Sequence, residues 1–167
     1  MHVDGHITEG APGKVKSLDI TGCDLIELIG MPQEVEGKFD CRMNDITSLK
    51  GAPSRAVEFD CSDCYKLTSL AGGPDSCKVF KCKDCRRLRN LTGMPKHFDP
   101  EGTFNCMQSP ITSLIGCPDE IHFVVCNECK LHTLAGAPSK VHSMSVAYNE
   151  LVSLQGCPQE LDGNFDC

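Results

Sequence analysis

Residues 44–61 read NDITSLKGAPSRAVEFDC, and variants of this stretch recur from one end of the chain to the other. The recurrence is easiest to follow at a Gly-x-Pro triplet, which occurs eight times with prolines 20 to 23 residues apart. A repeat of this length cannot hold both a strand and a full helix, and it is typical of a solenoid whose repeats each add one strand to a parallel sheet. We therefore predict a mainly β solenoid with a single parallel sheet, extended or turn-like returns and about eight layers.

The position of a residue within the repeat predicts where its side chain points. Two apolar residues two apart, such as Phe59 and Cys61, share one face of a strand and are expected to point inward. Three residues later comes a ladder residue, an Asn, Cys or Ser such as Cys64, whose side chain can hydrogen-bond the turning backbone of neighbouring layers. The L-x-x-L pair Leu67 and Leu70 and one residue after each proline complete the inward set.

The repeat pattern divides the chain into two parts. Residues 1–12 lack the full pattern and are expected to cap the first layer, whereas residues 13–167 form the solenoid. Because proline fixes φ and lacks an N–H, each Gly-x-Pro favours a turn rather than a helix. Three layers are longer than the others: Tyr65-Lys66 and Arg86-Arg87 each add a residue after the ladder cysteine, and residues 99–102 lengthen the fourth return loop.

Composition limits the class of protein. The formal net charge of −7 argues against broad affinity for nucleic acid or an anionic membrane surface. No basic stretch followed by an apolar run opens the chain, and no eighteen consecutive residues are apolar. We therefore expect a soluble cytoplasmic protein, with no membrane contact, whose thirteen cysteines are reduced.

The spacing Asn44-x-Ile46-x-x-Leu49-x-x-Ala52-Pro53 resembles the short bacterial leucine-rich repeat of the YopM and IpaH type effectors. The sequences Phe-Asp-Cys and Leu-Thr-Ser-Leu-x-Gly-x-Pro are similar to those of leucine-rich-repeat-like proteins of tailed bacteriophages. The resemblance covers roughly residues 13–167 and implies a curved solenoid used for protein binding, in the bacterial cytoplasm if the protein is phage-encoded. The ligase domain of the IpaH proteins has no counterpart here, so ligase activity is not carried over.

Two Cys-x-x-Cys pairs have the spacing of a four-thiolate zinc site, and their ligands would be Cys61, Cys64, Cys82 and Cys85. The repeat offers a simpler interpretation, because the same columns hold Ile20 and Asn44 in other layers. All thirteen cysteines fall on columns expected to point inward. We therefore interpret them as packing thiols and keep zinc as an alternative.

Nothing in the sequence indicates catalysis. The six histidines are scattered, none in a repeated relation to a nucleophile or a carboxylate pair, and we expect each to be a surface or loop residue. The repeated glycines belong to turns, because no Gly-rich loop opens a helix. We therefore expect a protein that is not an enzyme and carries no cofactor.

The outward face of the sheet is the candidate binding surface. Its middle column changes from acidic in the first layers to apolar in the later ones, with a basic run over residues 78–89 between them. Each zone has an alternative interpretation. A return loop could cover Phe123 and Val125 as a small core. The basic run could be a solvated ridge paired with neighbouring carboxylates. The predicted partner-binding residues are Lys81, Lys83, Asn105, Met107, Phe123, Val125 and Tyr148.

From these observations we predict a non-enzymatic module that binds a partner protein through the outward sheet face. One alternative is a structural element that assembles through the edge at Phe165-Asp166-Cys167, where no cap follows the last strand. The other is a zinc-binding module that uses the Cys-x-x-Cys pairs.

Overall fold

The computed structural model describes residues 12–167, which form a parallel β-solenoid of about seven turns. Apart from residue 12, the predicted N-terminal cap lies outside the described residues. Residues 12–167 contain no helix that is long and apolar enough to cross a membrane. The strands are β1 (Lys14–Val15), β2 (Leu18–Asp19), β3 (Glu34–Asp40), β4 (Arg55–Asp60), β5 (Ser76–Lys81), β6 (His97–Asn105), β7 (Glu120–Val125), β8 (Lys140–Ser145), β9 (Glu160–Leu161) and β10 (Phe165–Asp166).

All ten strands belong to one sheet in which every pairing is parallel. The short strands β1 and β2 lie end to end on β3, and β9 and β10 lie in the same way on β8. Eight layers therefore stack, joined by seven turns. The predicted fold class, a mainly β solenoid with one parallel sheet, is confirmed.

The core runs as continuous columns along the solenoid axis. Phe39, Phe59, Phe80 and Phe104 occupy one register position on four successive strands, are all fully buried, and have ring centroids 5.0, 5.5 and 6.4 Å apart. The paired leucine columns are buried in the same way from Leu28 to Leu134. Because each layer covers the apolar face of the next, the inward positions predicted from the repeat form one core.

The ladder residues satisfy backbone groups where each strand ends. Asn44 donates from Nδ2 to the carbonyls of Ile20 (2.8 Å) and Cys41 (3.0 Å), and its Oδ1 accepts from the Leu25 N–H (2.9 Å). Cysteine makes the simpler contact: the Cys64 thiol donates to the Cys41 carbonyl at 3.3 Å. A buried carbonyl without a partner is costly, which explains why only residues that can donate fill this column.

The Gly-x-Pro turns require glycine for two reasons. In seven layers the glycine has a φ between 79° and 108°, a region that L side chains rarely adopt. At Gly93, an added Cβ would also lie 2.5 Å from the Ala71 Cα of the previous turn. The interpretation of these glycines as turn residues is confirmed, and their returns pack backbone against backbone.

The long insertion is built differently from the prediction. Residues 99–102 do not lengthen a return loop but form a bulge inside β6, because Cys77 pairs with Phe98 whereas Val79 pairs with Thr103. A smaller bulge with Gly37 interrupts β3. The bulge in β6 therefore projects from the sheet instead of from the turns.

The C-terminal end of the solenoid departs from the predicted burial. Cys157 and Cys167 are exposed, so the assignment of all thirteen cysteines to inward positions is wrong for these two. Leu154 is likewise 52% exposed, although its column is buried in the earlier layers. The reason is positional, because no further layer within residues 12–167 packs on these residues.

Candidate partner-binding site

Most of the predicted partner-binding residues lie together on the outward sheet face. Lys81, Asn105 and Val125 occupy one register position on β5, β6 and β7. Lys83 and Met107 follow two residues further on in the first two of these layers, and the Asp84 N–H donates to the Met107 carbonyl at 2.9 Å. These five side chains are half-buried, as expected for side chains that stand close together on a sheet.

Phe123 is the exposed aromatic residue of this face. It lies between Thr103 and Ser143 on the neighbouring strands and is 36% exposed. Its ring is edge-on to the imidazoles of His122 (4.4 Å between centroids) and His142 (5.6 Å). These two partners are strand residues, so the geometry favours a partly exposed aromatic on the sheet over the alternative of a small core beneath a return loop.

Tyr148 does not belong to this group. It lies in the turn after β8, in the position before the ladder residue Asn149, with a φ of 57° and 84% of its surface exposed. The same left-handed position is held by Met43 and Gln108 in other layers. The repeat therefore directs Tyr148 away from the strand columns that hold Phe123 and Val125.

The acidic end of the face is neutralised within the sheet. Asp40 is 3% exposed, and it accepts hydrogen bonds from the Arg42 guanidinium (2.8 Å), from Thr21 (3.0 Å) and from Lys38 Nζ (2.8 Å). Burial by itself would raise the pKa of Asp40, but the Arg42 and Lys38 hydrogen bonds outweigh it and hold that pKa well below its usual range. Sequence reasoning found the carboxylates of these layers but missed the cations between them.

Part of the basic run is paired, as in the solvated-ridge alternative. Lys81 Nζ lies 2.8 Å from Glu58 Oε1, and Lys78 Nζ lies 3.5 Å from Glu101. Arg86 pairs with Asp84, and its guanidinium stacks 4.5 Å above the Tyr65 ring. The two layers that carry an extra residue therefore contact each other through these insertions.

The four candidate zinc ligands are all fully buried, and most of them already act as hydrogen-bond donors. The Cys61 thiol donates to the Lys81 carbonyl and the Cys85 thiol to the Cys61 carbonyl, both at 3.3 Å. Burial raises the pKa of Cys61 and Cys82 well above the usual range and that of Cys64 to about 12. Because zinc binds thiolates, these surroundings favour packing thiols.

A second cluster of thiols lies between β6 and β7. Cys106 Sγ is 3.1 Å from Cys126 Sγ and 3.9 Å from Cys129 Sγ, and all three side chains are buried. The hydrogen bond between Cys106 and Cys129 lowers the pKa of Cys129, whereas burial raises the pKa of Cys106 and of Cys126. Nowhere in residues 12–167 do three or more His, Cys, Asp or Glu side chains form a group that could hold a metal ion.

Sequence reasoning missed a pair of histidines in register. His122 and His142 follow inward residues on β7 and β8, and their rings stack 4.5 Å apart at an interplanar angle of 7°. The spacing of twenty residues, one repeat, was the available signal. Together with the β6 bulge these rings line a groove of about 830 Å³ on the sheet surface.

The fold and this surface define a class, the parallel β-solenoid with a mixed polar and apolar sheet face. No family model, curated protein sequence or solved structure matches the chain.

Proposed function

We propose that this protein is a non-enzymatic module that binds a partner protein through the outward face of its sheet. The observation that carries the proposal is Phe123, a 36% exposed aromatic on the outward face of β7, two residues before Val125, whose neighbour in the adjacent layer is Asn105. Scattered apolar residues are ordinary on protein surfaces, but adjacent ones on a polar sheet are candidates for a contact patch.

The residues around Phe123 suit the edge of such a contact. Lys81 and Asn105 offer hydrogen-bond donors in the same column as Val125, and the Lys81–Glu58 ion pair lies at the border of the patch. Protein interfaces commonly combine an aromatic centre with a polar, partly hydrated rim. Since each strand adds the same columns, the rigid sheet holds these side chains in place before a partner arrives.

The proposal also covers the kind of repeat and its location. We assign the repeat to the short leucine-rich type of bacterial and bacteriophage proteins and place the protein in the cytoplasm. The ladder hydrogen bonds of Asn44 and Asn149 support this assignment, because asparagine at this position is part of the leucine-rich pattern.

The test is affinity capture from lysate of the source cells, followed by direct binding of each captured protein in purified form. We expect a Phe123→Asp, Val125→Asp double variant to lose the partner. An Ile26→Asp, Ile115→Asp double variant serves as the control, because these residues are 69% and 64% exposed outside the strands. If the two variants bind the purified partner equally well, the sheet face is not the binding surface.

A second candidate function is assembly through the last layer. Leu154 and Val152 are 52% and 86% exposed, and a cavity of about 390 Å³ lies between them and Cys167. Leu154 occupies a column that is core in the earlier layers, and an exposed core position of a repeat is suited to pack on another repeat. Sedimentation measurements of the wild type and a Val152→Asp, Leu154→Asp variant test this: assembly predicts a concentration-dependent oligomer that the variant abolishes, and a monomeric wild type contradicts it.

A further inference from the structure

The groove beside the sheet face has walls of a distinct chemistry. Phe98 contributes half-buried apolar surface, Ile121 and Val141 lie beneath it as buried core residues, and the β6 bulge forms one wall. His122 and His142 contribute partly exposed ring surface. Such a concave surface with apolar and polar parts is what a ligand site generally requires.

The charge around the groove is strongly one-sided. Two lysines, Lys96 and Lys140, also line it, so that with neutral histidines the carboxylates exceed the cations by four. The six carboxylates that line the groove belong to Asp99, Glu101, Asp119, Glu120, Glu160 and Asp162.

Most of these carboxylates have no cation of their own. Glu101 pairs with Lys78, and Glu160 pairs with Lys140, each at 3.5 Å. The other four form no ion pair within residues 12–167. This differs from the acidic end of the sheet, where Lys38 and Arg42 neutralise Asp40. The groove therefore offers negative potential that the protein does not itself neutralise.

The length of the groove indicates the shape of its occupant. It extends from the β6 bulge across β7 and β8 to Glu160 in β9, which is three strand spacings or about 14 Å. An extended peptide covers that distance with about four residues. Phe98 and the histidine rings can pack against the aliphatic stems of arginine or lysine, while the carboxylates meet their charged ends.

We propose that this groove binds an extended, basic segment of a protein partner, with two or three Arg or Lys side chains directed at Asp119, Glu120 and Asp162. The proposal rests on the protein-binding function above but uses residues outside the Phe123 patch. The groove specifies a basic segment of the partner, whereas the Phe123 patch does not specify the charge of what it binds.

The test is fluorescence anisotropy with the full chain and two labelled octapeptides. In the first peptide arginine alternates with alanine, and in the second glutamate replaces arginine. We expect the basic peptide to bind, the acidic one not to bind, and the affinity to fall as salt is raised. A Glu120→Gln, Asp162→Asn variant should weaken binding about tenfold, because it removes two charges without changing shape.

The matched control is an Asp24→Asn, Glu27→Gln variant, which makes the same two exchanges at exposed positions in the first turn. If both variants weaken binding equally, peptide binding depends only on the net charge of the protein, and the groove proposal is overturned. Absence of binding to the basic peptide overturns it as well.

Partner capture with the same variants separates this proposal from the previous one. If only the Phe123→Asp, Val125→Asp variant loses the captured partner and the peptide does not bind, the groove proposal fails and the sheet face stands. If only the Glu120→Gln, Asp162→Asn variant loses both the partner and the peptide, the groove stands and the sheet-face assignment fails.

Discussion

Asp40 shows how a single charged residue can lie almost buried on the face of this sheet. Its carboxylate accepts hydrogen bonds from Arg42, Lys38 and Thr21, so nearly all of its acceptor capacity is used. The same contacts raise the pKa of Arg42, first through its hydrogen bond to Asp40. Lys38 and Arg42 also reach the third layer, at Glu58 (3.7 Å) and Asp60 (3.8 Å). These groups link the first three layers from the outside, whereas the phenylalanine column links layers from within.

Asp40 should make stability depend on pH. Its pKa in the folded protein lies below that of an unfolded aspartate, about 3.9. The stabilisation is therefore present above about pH 4 and is lost as the pH falls further. We expect Asp40→Asn to cost about 1 to 2 kcal/mol at pH 7, measured by urea unfolding, with a smaller difference from wild type at pH 3.5.

Asp45→Asn is the control for this experiment, because the Asp45–Lys66 pair is about half exposed and such pairs contribute little. A difference between Asp40→Asn and wild type that stays constant from pH 7 to pH 3.5 would show that the charge of Asp40 is not what stabilises the layers.

Two glycines separate backbone strain from close packing. Gly93 and Gly22 both have positive φ, 90° and 62°, but only Gly93 has backbone atoms of the previous turn where a Cβ would lie. Both Ala substitutions should cost about 1 kcal/mol through φ strain. We expect Gly93→Ala to cost clearly more in urea unfolding, because its turn must also shift. Equal costs would mean that the returns have room to separate.

At the scale of elements, strand β5 depends on its aromatic residue. Phe80 is fully buried between Phe59 and Phe104 of the neighbouring strands. Phe80→Ala should destabilise the protein by about 3 to 5 kcal/mol, since the cavity lies between two rigid layers that cannot collapse. Val79→Ala is the control in the same strand, where the side chain is only half-buried. Similar shifts in the urea midpoint for both variants would contradict the role of the column.

At the scale of the whole molecule, each strand pairs only with the layers beside it, so stability is shared between neighbours. Leu70→Asp should cost several kcal/mol, because it buries a charge without a partner. Hydrogen exchange should rise most in β4 and β5 and least in the distant layers. Val125→Asp should leave the fold intact, and equal thermal destabilisation by both variants would reverse the assignment of faces.

Much of the fold was predictable because every layer of a solenoid repeats the same strand and turn. Ala56 and Ile121 are buried where the pattern places them, since every layer uses the same backbone path. The bulge of residues 99–102 was misplaced because an insertion has no repeat to align with. Cys157 and Cys167 were misassigned because burial depends on a neighbouring layer, which the register of one repeat does not reveal.

The candidate site was only partly predictable for a related reason. Outward residues carry no periodic constraint, so their partners depend on which strands lie side by side. Sequence reasoning grouped Lys81, Asn105 and Val125 correctly by column. It grouped Tyr148 with these residues, although Tyr148 lies in the turn after β8. It also did not recognise that His122 stacks on His142.

The amino-acid sequence by itself determined the solenoid, its parallel sheet and its inward columns, because periodic burial of apolar side chains has one solution at this repeat length. Only the tertiary structure decided that the acidic layers are neutralised by Lys38 and Arg42, and that the β6 bulge and the histidine pair enclose an acidic groove. The physical reason is that charges and grooves on a sheet surface arise between layers, at distances that no single repeat encodes.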